Sequence, residues 1–158
     1  MLQSLKDLLA DLTAGHREST GFGETDYRLA AAALLIHVIV IDGEVSDVEL
    51  RKLAALLKLQ FELDDEAVME LIEAATAAER EAIDLYHFTS LLNRSLHEAG
   101  KARVVEMMWQ LVYADGRVNE FEENVIWHAA DLLGVSSRER IELRRRVSAD
   151  RKNTNQNG

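Results

Sequence analysis

Four carboxylates stand at matched positions in this chain: Asp42 and Glu49, then Asp115 and Glu122. Each pair lies within one phrase, Asp42-Gly43-Glu44-Val45-Ser46-Asp47-Val48-Glu49 and then Asp115-Gly116-Arg117-Val118-Asn119-Glu120-Phe121-Glu122. The chemistry these oxygens suggest is divalent-cation binding. The spacing from Asp to the last Glu matches the fifth and twelfth positions of an EF-hand loop, with glycine at the sixth and an apolar residue at the eighth. The first half of such a loop is missing, since Val38 and Val40 in one copy, and Leu111 and Tyr113 in the other, occupy its first and third ligand positions. Calcium takes about six to eight oxygens, more than one half-loop supplies, so a single EF-hand is excluded on ligand count. Two half-loops brought together would place Asp42, Glu49, Asp115 and Glu122 around one calcium or magnesium ion. Without a cation, four carboxylates so close would repel, and some would take up protons.

The same residues also fit the ends of helices. Gly43 and Gly116 fall where an apolar helical run stops, the place for a left-handed backbone that glycine adopts without penalty. Ser46 with Glu49 forms a capping-box pattern, and Asn119 with Glu122 a close variant of it. The cap oxygen accepts from the N3 amide while Glu reaches back to the cap amide. Val45 and Val118, just before the caps, are placed to fold back on the helices. Helix-end chemistry accounts for everything in the phrase except the Asp, so capping and cation binding both stay open.

The elements that position these turns follow from periodicity. Apolar runs from Leu29 to Ile41 and from Val104 to Ala114 precede the two copies, and helical runs from Val48 to Leu59 and from Phe121 to Leu133 follow them. The repeat unit is helix, turn, helix, and its copies begin 73 residues apart, at Asp42 and Asp115. The chain is thus predicted to be all-α, with seven to eight helices in two pseudo-symmetric helical hairpin halves. An amphipathic helix from Leu2 to Leu12 and a glycine-containing linker from Thr13 to Glu24, with little to bury, are expected to precede them. Further helices are expected to end near Glu79 and to run from about Asp84 to Glu98, with Gly100 as the stop. Ser136 or Ser137 caps the last helix. The expected organisation is 1–25 as N-terminal helix and flexible linker, 26–149 as the helical domain, and 150–158 as a disordered tail.

Composition agrees with a single helical domain. The 158 residues are 47% hydrophobic and contain no Pro and no Cys, which favours uninterrupted helices and excludes disulfides and thiolate sites. The longest apolar run is shorter than the roughly 20 residues of a membrane span, and Lys6, Asp7 and Asp11 interrupt the amino terminus where a secretory signal would be apolar. The expectation is a cytoplasmic protein, not an integral membrane one. Formal net charge is −10. Residues 138–152 hold seven Lys/Arg and three Asp/Glu; removing them from totals of 18 and 28 leaves the rest at −14. Such a body repels a nucleic-acid backbone and suits a cation or a partner with a basic face.

The paired phrases, each following an apolar helix and the second followed by Leu133-Gly134-Val135, resemble the TerB-like family over roughly Tyr27 to Val147. That family includes tellurite-resistance TerB proteins and the amino-terminal domain of a DnaJ-like co-chaperone. The resemblance implies an all-α fold with internal pseudo-symmetry, no enzymatic activity, and a cytoplasmic role in stress response. It further implies that Asp42, Glu49, Asp115 and Glu122 bind a metal or a partner. Co-chaperone activity does not carry over, because the chain has no His-Pro-Asp signature.

Other constellations are weaker. His37, His87, His97 and His128 include no pair at the helical ligand spacing, and His37 reads as a hydrogen-bonded core residue. No G-x-S-x-G elbow occurs, so no catalytic residue is assigned. Trp109, Tyr113, Phe121 and Trp127 cluster around the second turn and read as core, with a partner-binding pocket near Trp127 as the alternative. The arginine-rich last helix reads as a solvated face, with Glu142 placed to pair with Arg145 and Arg146, and an electrostatic contact to the acidic body is the alternative. The functional expectation is a non-enzymatic protein that binds a divalent cation through its turns, or else an adaptor whose acidic face meets a protein partner.

Overall fold

The structure is a computed structural model that describes residues 22–23, 25–41, 43, 45–114 and 116–157, and of residues 154–157 the backbone alone. The described residues form seven α-helices and no strand: α1 Tyr27–Val40, α2 Asp47–Phe61, α3 Asp65–Glu81, α4 Tyr86–Ser95, α5 Glu98–Val112, α6 Glu120–Leu132 and α7 Ser137–Asn157. The fold is all-α. The expected helix from Leu2 to Leu12 and most of the linker after it lie outside the described residues.

α1 is apolar nearly all round. Leu29, Leu34, Leu35, Val38 and Ile39 are buried together with Ala30, Ala31, Ala32 and Ala33, and a helix buried on every side must sit at the centre. Its small alanines let neighbouring helices approach closely. α5 is its counterpart, burying Val104, Val105, Met107, Met108, Trp109, Leu111 and Val112. The two lie against each other.

The internal repeat is visible in the order of elements, with α1, α2 and α3 returning as α5, α6 and α7 around the added α4. Packing follows the same exchange: α3 lies on α1 and α7 on α5, while α2 crosses to α5 and α6 crosses to α1. α4 fills the space against α1 and α6. Each half therefore completes the burial of the other, which makes a single hydrophobic core from both.

Local signals set most boundaries. Asp26 caps α1 by accepting from the Arg28 amide at 2.9 Å, and its carboxylate also holds the Arg28 guanidinium, Nη2 to Oδ2 at 2.6 Å. Burial alone would raise the Asp26 pKa, but the Arg28 contacts outweigh it and hold the group below its ordinary value. Three details depart from the sequence reading. Gly100 does not stop a helix; it lies in the first turn of α5, and a Cβ there would meet Leu96 Cβ at 3.2 Å. The break falls instead at Leu96 and His97, which are both extended. Phe22, within the stretch expected to bury little, packs against the core beneath Arg28, 4.6 Å from its ring centroid. α7 continues to Asn157, because neither Gly nor Pro interrupts the chain between Ser137 and that point.

Candidate functional site

Both turns are built by the residues that flank the two aspartates, while Asp42, Glu44 and Asp115 themselves lie outside the described residues. Gly43 has φ +81° and Gly116 φ +92°, left-handed values that an L side chain rarely adopts. Their amides close the preceding helices, Gly43 N donating to Val40 O at 3.0 Å and Gly116 N to Tyr113 O at 3.1 Å. Ser46 and Asn119 then start α2 and α6. Ser46 Oγ accepts from Glu49 N at 3.1 Å, and Glu49 Oε1 accepts from Ser46 N at 3.2 Å and from the Ser46 hydroxyl at 3.0 Å. Asn119 Oδ1 accepts from Glu122 N at 2.8 Å, and Glu122 Oε1 accepts from Asn119 N at 3.2 Å.

These boxes are buried, with Glu49 5% and Glu122 3% exposed. A buried carboxylate needs hydrogen-bond donors close by, and the cap amides supply them. The two glutamates ride on helices with different surroundings: α2 packs on α1, α3 and α5, and α6 on α1, α4, α5 and α7. Among the described residues no group of three or more His, Asp or Glu is placed to hold a metal ion. The valines before the caps diverge, since Val118 packs on the core and Val45 is exposed.

Beside the turns lie two clefts that the repeat relates to one another. One, of about 500 Å³, is walled by Arg51, Lys52 and Ala55 of α2, Gln110 at the end of α5, Tyr113 just beyond it, and Arg151 of α7. The other, of about 360 Å³, is walled by Asn124, Val125 and His128 of α6, His37 of α1, Glu79 of α3, and Ile83 in the segment between α3 and α4. Asn124, Val125 and His128 lie 73 residues after Arg51, Lys52 and Ala55, and Gln110 lies 73 after His37. Along α3 and α7 the buried residues match at an offset of 72, Leu71 with Leu143 and Ala75 with Val147, so Arg151 takes the place of Glu79. One backbone cleft thus occurs twice with opposite decoration.

In the second cleft, His37 Nδ1 sits 2.9 Å from Glu79 Oε1. His37 is hydrogen-bonded, but it borders a cleft rather than the closed core. Leu85 and Phe88 form the cleft's apolar floor, and Ile83 stands fully exposed beside it, at 101%. Of the aromatic residues near the second turn, Trp109 is in the core, whereas Phe121 and Trp127 are exposed, a correction to the sequence reading. Arg140 covers the Trp127 ring at 4.4 Å. Arg144 turns inward from the arginine-rich helix, reaching Glu123 at 2.7 Å and donating to Tyr113 Oη at 3.0 Å. Burial works against the Arg144 charge, but the contacts with Tyr113 and Glu123 outweigh it and raise the pKa. That face is only partly solvated.

Sequence reasoning missed both clefts. The available signal was the repeat offset itself, extended past the turns: reading Arg51 against Asn124 and Lys52 against Val125 shows where the halves diverged.

No curated protein and no solved structure matches the chain. A family model described as tellurite resistance protein TerB matches residues 28–145, which spans both copies of the turn and six complete helices, α1's first residue aside, up to the middle of α7. The chain belongs to the TerB family.

Proposed function

We propose that this TerB-family chain is a non-enzymatic, cytoplasmic binding protein of the tellurite-resistance or stress-response kind, in which the turns set the shape and the apolar cleft docks a protein partner. The observation that carries this reading is Ile83, fully exposed at the edge of a cleft floored by Leu85 and Phe88. A large apolar side chain presented beside an apolar hollow is the arrangement that binding surfaces use for anchoring. Glu79 and Asp84 border the same cleft, and the body outside residues 138–152 is strongly acidic. The partner is therefore a protein segment with an apolar anchor and basic flanks.

The test is affinity capture from the native cell with wild type, Ile83→Glu and the double variant Asp42→Asn/Asp115→Asn, followed by binding of the purified candidate. A partner kept by wild type and by the double variant but lost with Ile83→Glu supports the reading. A partner retained equally by Ile83→Glu contradicts it.

Divalent-cation binding is the second reading. It is favoured by the acid crowded into the first turns of α2, Asp47 and Glu49, and of α6, Glu120, Glu122 and Glu123. Its ligands would be Asp42, Glu49, Asp115 and Glu122, taking calcium or magnesium. Each glutamate commits Oε1 to its cap, so a cation would take from it at most the other oxygen. With both oxygens of each aspartate that makes about six at most, the bottom of the range calcium takes and only if both turns meet at one ion; the glutamates ride on helices with different surroundings, and the adaptor reading is preferred for that reason.

A further inference from the structure

The cleft beside α2 and α7 points to a different ligand from the one proposed for its pseudo-symmetric mate. Arg51 and Lys52 reach it from the first turns of α2, and Arg151 from the last turns of α7. Among the described residues none of the three has an ion-pair partner within 4.0 Å. Asp150 is the one acid among the described residues that line this cleft, and it has an interaction of its own. Three cationic groups around one hollow are unusual on a chain of net charge −10. Side chains of like charge repel when they converge without a counter-ion, and a bound anion relieves this.

The repeat supplies an internal comparison. Where this cleft has Arg51, Lys52 and Arg151, its mate has Asn124, Val125 and Glu79. The fold therefore explains the hollow, and the charge belongs to this copy alone. Arg151 is also seated rather than loose: a Cβ on Gly116 would lie 2.8 Å from its Nη2. The guanidinium thus rests on the backbone of the second turn, in room that the absent side chain leaves. At Gly43, the equivalent position, a Cβ would meet nothing within 4 Å. Gly116 serves the turn by its left-handed φ and the cleft by its lack of a side chain.

We propose that this cleft binds a small oxyanion ligand, with Arg51, Lys52 and Arg151 holding the anionic group, and that Tyr113 and the neighbouring Val48 and Val147 border an organic remainder where there is one. Two guanidinium forks and an ammonium match a phosphate-type group with several oxygens better than a single carboxylate. The hollow of about 500 Å³ exceeds the needs of a free anion and accepts a small molecule that carries one. This inference does not rest on the partner-docking reading, which concerns the other cleft.

The experiment is an amide NMR titration of the full chain, at about physiological salt so that diffuse attraction is screened, with three separate probes: inorganic pyrophosphate, sodium tellurite and ADP. The expected result is a saturable shift at Gly116, Arg51, Lys52 and Arg151 with at least one probe, and none at Asn124, Val125 or His37. Response to pyrophosphate or tellurite with no gain from ADP identifies a free oxyanion; tighter binding of ADP identifies a ligand with an organic body. Arg51→Gln/Lys52→Gln, on an exposed face, and separately Arg151→Gln should each weaken binding by about tenfold or more. The proposal is overturned by no saturable response to any probe, by shifts that fall instead around Arg138 and Arg145, or by affinity that survives both sets of substitutions.

Discussion

Glu49 and Glu122 spend an oxygen each on the turn they follow. Each is buried and each accepts from the amide of its own cap residue. The expected consequence is energetic: Glu49→Ala removes one half of a capping box and leaves the Ser46 amide without that acceptor. Loss of a cap costs about 1 kcal/mol in typical hosts, and burial adds to it here. Denaturant unfolding should show Glu49→Ala and Glu122→Ala each less stable than wild type by roughly 1–2 kcal/mol, with or without calcium. A loss that appears only in the presence of the ion would contradict the structural role. The boxes were legible in sequence because they are wholly local, a cap residue and a Glu three positions on. The fate of Trp109 and Trp127, one in the core and one exposed, was not, because both lie on helices beside the same turn and only tertiary packing separates them.

Helices were legible where periodicity and caps agreed, as in α2, α6 and the centre of α1. Boundaries failed where a glycine had a packing purpose instead of a conformational one. Gly100 sits inside α5 because Leu96 folds against it, a contact that no helix-stop rule anticipates. The reach of α7 to Asn157 is not legible from polar composition, which suggests disorder although neither Gly nor Pro in those residues breaks a helix. α3 offers a test at this scale. Burial, with the Glu66 and Asp64 carboxylates nearby, raises the Glu70 pKa above its ordinary value. Glu66 lies one turn away, a like-charged neighbour at the unfavourable helical spacing. A carboxyl whose folded pKa is raised weakens the native state when ionised; the penalty is complete above the folded pKa and vanishes below the unfolded one. Glu70→Gln should therefore raise the melting temperature at neutral pH, and its advantage should shrink as the pH falls through the Glu70 titration. An advantage that is constant from neutral to acid pH would show that packing, not charge, sets the effect.

On the scale of the whole molecule, a repeated phrase at a spacing of 73 residues was enough to indicate two related halves, because each copy carries its own turn signals. The exchange of α2 and α6 across the central pair was beyond it, since sequence order does not say which half completes which core. The clefts were hidden for the same reason: each is lined by at least three helices distant in sequence. Once the exchange is known, the divergence between them becomes readable, with Arg51, Lys52 and Arg151 on one side and Asn124, Val125 and Glu79 on the other. The halves share a frame and differ in what they present. In this account the turns are structure and the clefts are where binding occurs. The measurement that tests this division most directly is an amide NMR titration of the purified chain with calcium, magnesium and manganese, read at Gly43 and Gly116. If the turns are purely structural, only a gradual ionic-strength drift spread over the acidic surface is expected. Saturable shifts or broadening confined to the two turns would contradict this division and return the four carboxylates to the role of ligands.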